Sequence, residues 1–170
     1  MISEKMQKAL NDQINAEFFS AYLYLAMAAY FEEKNLPGFA HWMEVQYEEE
    51  TMHAMKMYRY VVDRGGRAQF KAIEEPQKDW DSPLAAFEAT YEHEQYITSR
   101  INDLMKLASE LSDFTTQSFL KWYLDEQVEE EANVDEIVQS FHLMGNDSRG
   151  LFMLDRELKL RQASPDPTAP

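Results

Sequence analysis

The stretch YEEETMHAM, residues 47 to 55, sets three glutamates and then a histidine inside a segment whose apolar spacing is that of a buried helix. Glu50 and His53 are three residues apart, so a helix places both on one face, one turn apart. Carboxylate and imidazole at that spacing can grip one metal ion. The pattern recurs along the chain. Glu17 falls on the stripe Leu10, Ile14, Ala21, Leu25, Ala28; Glu94 falls on Phe87, Tyr91, Ile97, Ile101. Gln127 and Glu130 interrupt Leu120, Tyr123, Val134, Ile137, Phe141, and Gln46 stands with Glu50 and His53 between Phe39, Met43, Met57 and Val61. Burying an ionised carboxylate costs several kcal/mol unless something compensates it, and carboxylates gathered together repel. No lysine or arginine falls on these stripes at that level, so a bound cation is the simplest compensation. Oxygen donors with one imidazole suit iron or manganese better than structural zinc, which prefers thiolate and histidine.

The elements that must position these groups are long helices. Ser3 caps a first that runs to about Asn35, where NLPG breaks it. A second starts near Phe39 and ends at RGG. DSPL opens a third, with Ser82 as cap and Pro83 at the first helical position, running to about Leu111. Asp113 caps a fourth that Gly145 stops after Met144. A short amphipathic helix is expected over Leu151 to Leu160, and the tail 164–170 is expected to be disordered. No strand alternation is visible, so the chain reads as all-α, one domain over residues 1–163. Short connections make the first and second helices antiparallel neighbours, and likewise the third and fourth. The connection from Gly65 to Asp81 differs. A 26-residue helix is about 39 Å long, and 17 extended residues reach roughly 55 Å. That loop can travel the whole bundle and start the third helix parallel to the second. The expected architecture is a four-helix bundle with one long crossover and a short fifth C-terminal helix.

Acids outnumber bases 31 to 16, a net charge of −15. Such a field repels nucleic acid and anionic membrane and gathers cations. The absence of cysteine excludes disulfides, thiolate catalysis and rubredoxin-type iron sites. MISEKMQKAL has no basic region followed by an apolar core, and no apolar run approaches a membrane span. A cytoplasmic protein is expected.

From residue 3 to about 160 the chain resembles a prokaryotic ferritin of the non-haem type. LNDQINAEFFSAYLY, YEEETMHAM, YEHEQYIT and FLKWYLDEQVEEE resemble the family's four site-bearing segments in order and spacing. The resemblance implies a ferroxidase and iron-storage subunit using iron with dioxygen or hydrogen peroxide. It implies that Glu17, Glu50 and His53 hold a first iron, that Glu50, Glu94 and Glu130 hold a second, and that Gln127 lines the site. Glu49, Glu126, Glu129 and Glu130 match a third, looser iron site, although EQVEEE also reads as a solvated acidic face. Tyr24 and Trp122 match family aromatics that can supply an electron. A hollow homo-oligomer follows, normally of twenty-four subunits, with the short last helix aiding assembly. Met52 raises haem binding, but a second Glu-x-x-His is absent, which argues for a packing methionine. The missing cysteines likewise argue against a rubrerythrin-like peroxidase. His41, His93 and His142 read as ordinary.

Overall fold

The computed structural model describes residues 1–163, so the tail 164–170 lies outside the described residues. Five helices follow one another: α1 (Glu4–Glu33), α2 (Pro37–Asp63), α3 (Pro83–Glu110), α4 (Phe114–Met144) and α5 (Ser148–Leu158). Three begin on the caps read from sequence. Ser3 accepts from the Met6 N–H, Ser82 from Ala85, and Asp113 from Thr116, each at 3.1–3.2 Å, satisfying donors that a helix start otherwise leaves open. Past α1 and α3 the chain turns through Asn35 and Ser112, both at positive φ.

Side-chain pairs fix the helix directions. The Ile2 N–H bonds the Arg64 carbonyl, so α1 starts where α2 ends. Gln13 meets Arg100, Ser20 meets His93 and Met27 meets Thr90, so α3 runs against α1. Gln46 meets Glu130 and Tyr60 meets Thr116, so α4 runs against α2. Helices α2 and α3 are therefore parallel, as the long connection requires. That connection tracks α1 from end to end: the Arg67 N–H bonds Gln7, Gln69 bonds Asn11, Phe70 packs on Phe18, and Trp80 packs on Tyr30.

The core falls into two apolar clusters. One gathers Phe31, Phe39, Phe87 and Phe141; the other gathers Met6, Leu10, Met57, Ile101 and Leu120. Between them lies a band of buried polar side chains. Two stripe positions differ from the sequence reading. Leu25 is 41% exposed and Tyr91 is only half-buried. At 3.6 residues per turn, the position two turns beyond Glu17 is Tyr24, which is fully buried; Leu25 is rotated a further 100° outward.

The last helix also begins earlier than expected, at Ser148, because Asp147 caps it by accepting from the Arg149 N–H. It packs on α2 and α4. Leu36, at the start of α2, supplies no side-chain cap. Asp155 of α5 replaces it, accepting from the N–H groups of Gly38 at 2.7 Å and Phe39 at 3.2 Å. Gly38 permits this approach, since a Cβ there would lie 1.6 Å from the Asp155 carbonyl oxygen.

Candidate metal centre

Glu17 from α1, Glu50 and His53 from α2, Glu94 from α3, and Gln127 and Glu130 from α4 are all buried in the polar band. Glu17, Glu50 and His53 bring one ligand atom each within 4.8 Å of one another, and His53, Glu126 and Glu130 form a second such group. The His53 Nδ1 lies 3.6 Å from the Glu50 carboxylate, and its Nε2 lies 3.9 Å from Glu126. The ring packs edge-on to Trp122 and Tyr123. The Tyr123 hydroxyl donates to the His53 carbonyl at 2.8 Å, fixing α4 against this turn of α2.

Neutral amides hold the carboxylates. Gln13 donates to Glu17 at 2.8 Å and is itself held by Arg100. Gln127 donates to Glu94 at 3.0 Å, and Gln46 donates to Glu130 at 3.0 Å. The Tyr24 hydroxyl donates to the other Glu94 oxygen in a very short hydrogen bond. Both Glu94 oxygens are thus aimed by donors, and Glu94 stands outside the two close groups. Among the described residues, Glu17 Oε2, Glu50 Oε2 and His53 Nε2 are buried without any hydrogen-bond partner.

The electrostatics match this burial. Burial, then the charges of Glu94, Glu17 and Glu130, push the Glu50 carboxyl well above its ordinary range. Burial also raises Glu94, against the pull of its bonds from Tyr24 and Gln127. Glu130 is pushed up to about 8, by burial and then by Glu94. Tyr24 is raised well above 10 by burial and by Glu94, so it is a neutral phenol that donates. Burial pushes His93 down to about 4; it packs against Tyr24 and bonds Ser20 at 2.7 Å.

Of the outer glutamates, Glu49 is buried, Glu126 is half-buried and Glu129 is exposed and outside both close groups. One cation was missed by the sequence reading. Arg161, beyond α5, donates to Glu49 at 2.5 Å and also to Gln46. It is 112 residues from Glu49 in sequence, so no helical spacing reveals it. Gln13 was missed too, although it sits one turn before Glu17. No lysine or arginine bonds Glu17, Glu50 or Glu94 among the described residues. The unpartnered oxygens of Glu17 and Glu50 and the unpartnered nitrogen of His53 are donors that suit a hard or borderline divalent cation.

A protein-family match to the Ferritin-like domain covers residues 7–144. The chain is 41% identical over 161 residues to a bacterial non-heme ferritin of Staphylococcus aureus, covering 95% of this chain and 97% of that one. It is 42% identical to the Bacteroides fragilis bacterial non-heme ferritin, over 95% of this chain and all of that one. Among solved structures, an open-pore ferritin from the archaeon Archaeoglobus fulgidus superposes with a TM-score of 0.94 at 58% identity, over 95% of this chain and 98% of that one. An engineered closed form of the A. fulgidus ferritin gives 0.95 at 56% identity, over 96% and 100%. A chain that matches across nearly its whole length, with carboxylates from all four bundle helices in one buried band, belongs to the ferritin family.

Proposed function

We propose that this chain is an iron-storage subunit and a ferroxidase, an Fe(II):oxygen oxidoreductase. It would oxidise Fe²⁺ at a two-iron centre and deposit Fe³⁺ mineral inside a hollow homo-oligomeric shell, normally of twenty-four copies, in the cytoplasm. Family membership supports iron storage and self-assembly. The observation that carries the chemistry is the buried group Glu17, Glu50 and His53, which bring one ligand atom each within 4.8 Å of one another, with one oxygen of each glutamate lacking any hydrogen-bond partner.

Iron is the substrate here. Glu17, Glu50 and His53 take one Fe²⁺; Glu50, Glu94 and Glu130 take the second, with Glu50 shared. The two ions give one electron each, and dioxygen with two protons becomes hydrogen peroxide. Gln127 stays neutral and aims Glu94. One imidazole, with an amide where a second could stand, leaves the second iron the more loosely held, which suits onward transfer. Glu49, Glu126, Glu129 and Glu130 form an all-carboxylate third site that receives oxidised iron or holds one more Fe²⁺. With a third Fe²⁺ there, Tyr24, bonded to Glu94, can supply the fourth electron that, with four protons in all, takes dioxygen to two waters instead of peroxide.

Successive aerobic additions of Fe²⁺ to the purified protein test this. The expected result is a soluble many-subunit particle whose ferric absorbance grows with each addition. A monomer that leaves iron oxidising and precipitating as it does in buffer would overturn the reading.

A further inference from the structure

Arg161 occupies an oxygen of one of the outer carboxylates. Its Nη2 lies 2.5 Å from Glu49 Oε2, and hard cations sit roughly 2.0–2.6 Å from carboxylate oxygens. The same guanidinium donates to Gln46, whose amide donates in turn to Glu130. One side chain thus reaches two of the four glutamates proposed for the third iron, one directly and one through an amide. Its other anchors lie off the site. The guanidinium stacks 4.2 Å from the Trp42 ring and donates to the Trp42 carbonyl at 3.3 Å, and the His41 ring bonds the Arg161 carbonyl at 2.9 Å. Withdrawal of Nη2 from Glu49 and Gln46 therefore leaves the residue held on Trp42 and His41.

We infer that Arg161 is a built-in counter-cation of the acidic side site, which a third metal ion must displace from Glu49 before it can bind there. The inference rests on the iron-handling reading and assigns a regulating residue to it. While the guanidinium is in place, Glu49 is neutralised and a second cation at that oxygen meets both steric exclusion and repulsion. Arg161 also lies just beyond α5, whose Asp155 caps α2. Loading of the side site is thereby coupled to the C-terminal segment. By reciprocity, metal at Glu49 loosens the turn in which the Leu160 and Arg161 N–H groups bond Glu157 and Leu158.

Zn²⁺, which undergoes no redox change, serves as the probe, titrated by calorimetry into the assembled protein. In wild type the proposal expects two tighter ions and a weak third per subunit. Arg161→Gln should tighten the third by about tenfold, a difference of about 1.4 kcal/mol, and leave the first within about twofold. Arg161→Lys, which keeps the charge but not the planar fork, should fall between them and serves if the glutamine variant does not assemble. Adding Glu49→Gln to either should abolish the gain. Hydrogen exchange at Leu160 and Arg161 should rise when wild type is saturated with Zn²⁺. A third-ion affinity unchanged or weakened in both Arg161 variants, with two-ion uptake intact, would overturn the inference alone. Wild type that takes up no Zn²⁺ at the first two positions would overturn the functional reading and this inference together.

Discussion

Glu50 carries an electrostatic conflict: it is buried, one oxygen meets no donor, and burial with three other carboxylates raises its pKa. Glu130, pushed up to about 8, shares the conflict. These shifts set the sign of the pH response without metal. A carboxyl whose folded pKa is above its unfolded one binds its proton more tightly in the native state. Its contribution is therefore fully present below the ordinary value near 4.5 and is lost as pH rises through the folded value. Metal-free protein should melt at progressively lower temperature between about pH 5 and pH 8 for this reason. Glu130→Gln keeps an amide in place of the protonated acid and should flatten that slope. Thermal melts of both proteins across the window check it, and parallel slopes would show that Glu130 contributes nothing to the pH dependence.

At the scale of elements, α5 is fastened through one carboxylate. Asp155→Ala removes the acceptor for two N–H groups in the first turn of α2 and should cost about 2 kcal/mol, read as a lower denaturation midpoint. Gly38→Ala drives a methyl into the Asp155 carbonyl. It should raise hydrogen exchange across 148–158 while α1 to α4 stay protected; unchanged protection in α5 would contradict the docking. The four bundle helices and their buried carboxylates were legible in the sequence because helical periodicity, caps and turn residues are local signals. Glu17 stands out since it recurs at the spacing of Leu10 and Ile14. The hold of Asp155 on α2 and of Arg161 on Glu49 was not legible. Both span more than a hundred residues and depend on where α5 lands after the bundle has formed. The Leu25 error has a different origin: a stripe drawn at steps of three and four can drift by one residue, whereas 3.6 residues per turn points to Tyr24, which is the buried one.

Across the whole molecule, acidic charge and a polar band between two apolar clusters point the same way. A net charge of −15 gathers cations at the surface, and the buried carboxylates with His53 form groups that could hold a metal ion. Among the described residues, no helix is long and apolar enough to cross a membrane. A ligand that binds only the native state stabilises it, by about 2.7 kcal/mol at a hundredfold excess over Kd. Saturating Zn²⁺, or Fe²⁺ without oxygen, should raise the melting temperature by about 5–10 °C for a chain of this size. No upward shift would argue against a buried metal site. The central claim is that Glu50 is the carboxylate shared by two irons, and single-turnover stopped-flow oxidation tests it most directly. Wild-type protein given two Fe²⁺ per subunit in aerated buffer should show a fast ferric absorbance phase. Glu50→Ala, first shown to have the wild-type assembled size, should slow that phase by at least about 100-fold, beyond the loss typical of a residue that merely supports a ligand. A Glu50→Ala shell that oxidises its first two Fe²⁺ at the wild-type rate would contradict the account.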